Sequence, residues 1–188
     1  VLGFATNLAY NFSVNTETRH KLESVRDIYY PILERANNVM VMLDRTTEIL
    51  NSAVSAGEMD MMKGADENSE KMRSLFREIK TLEPNRKREV EDLASSFENY
   101  YLLAREISEG MISGKADFAQ LNTKVETMGS KLNSLKSQLR DFRDESHELF
   151  SSNISNSIAD SATALNVGAV IAVLITIVLI TVSLYVTM

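Results

Sequence analysis

Residues 22–53, LESVRDIYYPILERANNVMVMLDRTTEILNSA, decide the fold. Their seam positions are Leu22, Val25, Tyr29, Ile32, Ala36, Val39, Leu43, Thr46, Leu50 and Ala53, stepping alternately by three and four. That spacing follows the helical repeat, so it draws one continuous stripe along one helix face. The stripe is the heptad pattern of helices packed at a shallow left-handed angle.

Working outward, the same alternation returns three times. The second seam runs Met61, Ala65, Asn68, Met72, Leu75, Ile79, Leu82. The third runs Val90, Leu93, Phe97, Tyr100, Ala104, Ile107, Met111, and the fourth Phe118, Leu121, Val125, Met128, Leu132, Leu135, Leu139, Phe142. The breaks carry turn chemistry. Gly57 suits a helix C-terminal cap, Pro84 suits the first turn of a third helix, and Ser113-Gly114 closes that helix. Short links force antiparallel neighbours, so the expected fold is all-α, an up-down-up-down four-helix bundle.

Composition agrees. Only 7 Gly and 2 Pro leave few tight turns for sandwiches, barrels or doubly wound sheets. With no Cys, disulfide scaffolds, thiolate catalysis and cysteine-based zinc sites are excluded. A net charge of −6 argues against nucleic acid as a partner, because phosphate binding needs a basic surface.

The outer helices are longer than the inner pair. The first is expected over residues 13–56 and the last from about residue 115 to 165, roughly 65 and 75 Å at about 1.5 Å per residue. The middle helices are roughly 40 Å each, so the tip at Pro84 should lie near Pro31, which should kink the first helix. Beyond that level two helices per chain make a poor core, and a homodimer is expected to complete it. Ile28, Leu33, Met40, Met42 and Ile49 broaden the first stripe, which fits either the core of a monomeric bundle or a second subunit packed through the first helix.

From Leu165 to Met188 runs LNVGAVIAVLITIVLITVSLYVTM, without one charge. About 20 apolar residues cross a bilayer as a helix. The segment 165–188 is therefore expected to be a transmembrane helix, entered continuously through the small residues of 151–166. Residues 1–12, VLGFATNLAYNF, read as the outer end of a first transmembrane helix, with Tyr10 and Phe12 at the interface. The expected organisation is thus 1–12, then a domain over 13–164, then 165–188.

This layout resembles the periplasmic four-helix-bundle sensor region of bacterial transmembrane receptors, of the methyl-accepting chemotaxis protein and sensor histidine kinase type. The residues carrying the resemblance are Tyr30-Pro31-Ile32-Leu33-Glu34, Leu43-Asp44-Arg45, Ala53-Val54-Ser55-Ala56-Gly57 and Ala65-Asp66. It implies a dimer in the bacterial inner membrane, with its sensor domain in the periplasm. A small-molecule ligand or a periplasmic binding protein would displace a helix and signal to a cytoplasmic output module. In such receptors small anions bind distally, between subunits, against arginines of the first helix. That implies Arg45 as the ligand-binding fork, with Arg35 second and Tyr100, Tyr101 and Arg105 approaching from the third helix.

No enzyme is expected, and no cofactor or metal. There is no HExxH, no Gly-rich phosphate loop and no nucleophile motif. His20 and His147 sit among charged neighbours as surface positions. Met59, Met61 and Met62 have the thioethers a soft metal takes, but Met is more often core filler. The alternatives are the sensor region of a histidine kinase or diguanylate cyclase, a helical pore-former or spacer, and a tail-anchored fusion or tethering protein of the SNARE kind. The last would place Gln or Arg in the central seam, whereas Gln138 and Arg140 flank Leu139 and miss it.

Overall fold

A computed structural model describes the backbone of residues 16–187, with the side chains of 118, 160–169, 172, 175 and 178–187 outside the described set. Every element among the described residues is helical, and there are no strands. A leading helical segment, 16–24, passes through a π-helical turn, Val25–Tyr29, into α1, Tyr30–Ala56. Then follow α2, Met62–Leu82, α3, Lys87–Ile112, and α4, Phe118–Thr187. The expected end of a first membrane helix, 1–12, lies outside the described residues. So do most side chains of the uncharged segment 165–188, whose backbone is helical as far as Thr187. Among the described residues no helix is long and apolar enough to cross a membrane.

The links form for the local reasons anticipated. Gly57, at φ 70°, takes the left-handed conformation that a side chain would strain. Its N–H reaches Val54 O at 3.2 Å, while Glu58 N–H reaches back to Ala53 O at 3.1 Å, a Schellman cap. Gly114, at φ 67°, repeats it with Met111 O and the Lys115 N–H to Gly110 O bond. Pro84 opens a single 3-10 turn, Pro84–Arg86, that leads into α3. Asp117 starts α4 by accepting the Ala119 N–H at 3.0 Å.

Two compact units divide the chain: Tyr30–His147, and a second formed by the segments on either side of it. The boundary falls where the short hairpin ends. Arg35 pairs with Glu78 at 2.7 Å, so α2 runs out near the start of α1, as its length predicts. A π-helical turn, Val25–Tyr29, stands just before Pro31, where a kink was expected. Pro31 has no N–H to give the carbonyl of Asp27, and a wider turn accommodates that missing bond.

In the larger unit the seam positions of α1 and α3 form the core. Ile32, Ala36, Val39, Leu43, Thr46, Leu50 and Ala53 are buried on α1, and Val90, Leu93, Phe97, Tyr100, Ala104 and Ile107 on α3. On α2 the buried set departs from the expected seam: Met62, Ser69 and Phe76 join Ala65, Asn68, Met72 and Ile79, whereas Met61 is exposed and Leu75 and Leu82 are half-buried, because the helix turns a neighbouring strip of its surface inward. Ion pairs between α2 and α3 link Asp66 to Arg105, Arg73 to Glu98 and Lys80 to Glu91. One number falls as the other rises, so these two helices run antiparallel. On α4 the seam is buried at Leu135, Leu139, Phe142 and Ser146, but not at Leu121, Val125, Met128 or Leu132. Within the smaller unit Val25 and Ser157 are buried.

Candidate ligand-binding site

The face between α2 and α3 is bridged by charge. Arg73 grips Glu98 through Nε at 2.5 Å and its second nitrogen at 2.9 Å, takes Glu70 at 2.6 Å, and lies 5.7 Å over the Tyr101 ring. Tyr101 stacks on Phe97 at 5.7 Å and donates its hydroxyl to Asp66, which also accepts Arg105 Nε at 2.9 Å. Burial works against the Asp66 carboxylate, but the Arg105 and Tyr101 hydrogen bonds outweigh it and hold its pKa below the ordinary range. The Tyr101 phenol is pushed up to about 12, first by burial and then because its proton is held by Asp66.

The other side of α3 is different. Where α1, α3 and the first turns of α4 meet, near the Gly57 and Gly114 loops, lies a half-open cavity of about 450 Å³. From α1 it is lined by Thr47, Asn51, Val54 and Ser55, from α3 by Tyr100, Ala104, Ile107 and Ser108, and from α4 by Val125, Met128 and Leu132. No charged side chain lines it. Its size and its apolar wall with a few polar groups match those of small-molecule sites, about 300–1,000 Å³. It exists because the facing side chains are short. Ala104, Ser108 and Ser55 stand opposite an α4 segment held to α3 by Lys124–Glu106 at 2.6 Å, and Met111 and Val125 stay 43% and 40% exposed at the mouth.

The five residues expected to bind ligand separate. Tyr100 is 1% exposed and its hydroxyl lies 2.9 Å from Thr47 Oγ1 on the cavity wall. Burial raises its pKa, the Thr47 hydrogen bond opposes this, and Asp44 adds to the rise. Tyr101 and Arg105 turn instead to Asp66 on α2. Arg35 is committed to Glu78 and to the Pro31 carbonyl, at 2.7 and 3.1 Å. Arg45 is exposed and pairs with no carboxylate among the described residues. It is two residues from Thr47, about 200° around the helix, so it faces away from Tyr100. The structure therefore does not bring Arg45 together with the α3 residues within one chain. His20 is exposed, 3.5 Å from Glu23, and His147 is exposed. Met62 is buried in the core while Met59 and Met61 are partly exposed, and no group of three or more His, Asp or Glu side chains that could hold a metal forms among the described residues.

Sequence reasoning missed the cavity. The available signal was Thr47, Asn51 and Ser55, three short uncharged polar residues at four-residue spacing beside an apolar seam. Searches against family models, curated proteins and solved structures return no match for this chain.

Proposed function

We propose that this chain is the extracytoplasmic ligand-sensing and transmembrane signalling region of a bacterial chemoreceptor-like protein. In this reading the helices form an up-down-up-down antiparallel bundle in the periplasm, 165–188 crosses the inner membrane, 1–12 ends a first membrane helix, and two copies associate. The chain catalyses nothing. It passes a helix displacement to a cytoplasmic output module.

One observation carries the reading. A single helix, α4, walls a small-molecule-sized cavity with its first turns and continues into an uncharged stretch at its far end. A ligand that fits the cavity in one position of α4 better than in another shifts the balance by its differential affinity. A packed helix moves between discrete positions, so the change travels along its axis. The sensor region of a histidine kinase or diguanylate cyclase would use the same device. A tethering protein would not need a cavity.

The chain contains no cysteine, so single cysteines report cleanly. Val41 is 65% exposed on the outward face of α1. In lipid nanodiscs, a full-length Val41→Cys variant should cross-link to a dimer. A compound that raises the melting temperature should change that rate several-fold. A chain that stays monomeric and is left unchanged by amino acids, organic acids, alcohols and phenols alike would overturn the reading.

A further inference from the structure

We infer that the cavity between α1, α3 and α4 binds an uncharged, mostly apolar small molecule bearing a hydrogen-bond donor, of the phenol or alcohol class. This rests on the sensor reading for its purpose but not for its chemistry. The chemistry comes from three features of the wall.

The first is charge. No Lys, Arg, Asp or Glu lines the cavity, so an ion entering it would lose hydration without gaining a partner. The second is apolar cover. Ile107, Met128 and Leu132 supply it, and Met adapts to irregular shapes.

The third is proton direction. Thr47 Oγ1 donates its only proton to the Leu43 carbonyl at 2.9 Å. Its 2.9 Å contact with Tyr100 therefore has the tyrosine donating. Each hydroxyl has one proton, so both are spent, and the Tyr100 oxygen keeps acceptor capacity. A ligand hydroxyl meets an acceptor there, while a ligand with only acceptors meets neither of these two protons and must turn to Asn51 or Ser108 elsewhere on the wall. The anion expected at Arg45 would use a different face.

The test uses the full chain in nanodiscs, with phenol, hexan-1-ol, anisole and benzoate as probes. Melting temperature is read against probe concentration, and the variants below control for partition into lipid. Phenol and hexan-1-ol should raise the melting temperature. Anisole, which has the ring without the donor, should bind about three- to tenfold more weakly, and benzoate should give no shift. Tyr100→Phe should erase the preference for phenol over anisole. Ala104→Phe, which fills the space from inside, should abolish the shift. Val125→Phe fills it from the half-exposed rim and should do the same if Ala104→Phe fails to fold.

No shift with phenol or hexan-1-ol, or a shift that survives Val125→Phe, overturns the assignment. So does a benzoate shift that Val125→Phe removes, since it would place an anion in the cavity. Binding that leaves the Val41→Cys cross-linking rate unchanged would sink the signalling reading and keep the site. A different compound that changes the rate, with no phenol or alcohol binding, would do the reverse.

Discussion

Between Leu135 and Ser146, α4 buries every seam position; between Leu121 and Leu132 it buries none. Both stretches have the same heptad spacing, so the difference comes from what stands opposite. The first faces long side chains. The Arg86 guanidinium lies 4.1 Å over the Phe142 ring, bonds Ser146 Oγ at 3.1 Å and Glu145 at 2.9 Å, and is braced by Glu89 at 2.7 Å. Lys136 reaches Asp44 at 2.6 Å. The second faces a wall in which Ala104, Ser108 and Ser55 leave room between larger neighbours such as Tyr100 and Ile107. A helix seam proposes a contact, and the volume across from it decides whether the contact closes.

The sharpest way to break this comparison is to truncate one residue in each stretch. Leu139→Ala should cost about 2–5 kcal/mol, the range for a fully buried leucine. Met128→Ala, on the cavity wall, should cost under about 1 kcal/mol, because little apolar contact is lost there. Denaturant unfolding of both variants checks it, and equal costs would mean the two halves pack alike.

Arg86 comes next. Arg86→Ala removes the cover of Phe142 and the bonds to Glu145 and Ser146, and should cost about 1–3 kcal/mol. Arg86→Lys should not recover it, because an ammonium cannot lie flat on the ring while bonding three partners. A full rescue by lysine, read from the same unfolding curves, would reduce the role to plain charge.

These two regions also show what the sequence carried. The four helices were legible because their seams, the caps at Gly57 and Gly114 and the turn at Pro84 are local patterns. The antiparallel run of α2 and α3 followed from a short link. The π-helical turn before Pro31 was legible only as a disturbance, since the missing N–H does not say how the chain absorbs it. The cavity was not legible, because it depends on residues from three helices being small at one level. Tyr101 and Arg105 were singled out for a ligand, and yet they serve α2. Nothing in their spacing reveals that Asp66 waits across the seam.

A smaller effect concerns a buried amide on α2. Asn68 is 7% exposed and its Nδ2 has no hydrogen-bond partner among the described residues. An unpaired buried donor costs about 1–3 kcal/mol. Asn68→Leu keeps the volume and removes the donor, so the melting temperature should rise, by an amount equivalent to about 1 kcal/mol. A fall would mean the amide supports its neighbours in a way its bonds do not show.

At neutral pH Tyr101→Phe should cost only about 1 kcal/mol, because Asp66 keeps Arg105 when the hydroxyl goes. Its pH dependence is more informative. The folded Tyr101 phenol titrates at about 12, above the ordinary value of about 10. A raised pKa means the folded state holds the proton more tightly. Its contribution is therefore complete below about pH 10 and drains away as pH climbs toward 12. Tyr100 shifts the same way, so Tyr101→Phe should shrink the alkaline loss without abolishing it. The acid side runs oppositely. The lowered pKa of Asp66 gives stability above the unfolded carboxyl's value, lost as pH falls through the folded one. Removing the Tyr101 donor weakens that hold, so the acid transition should move to higher pH. Stability measured from pH 2 to 12 in both proteins reads the two ends at once. Movement at one end alone would separate the phenol's burial from its bond to Asp66, since only the bond links them.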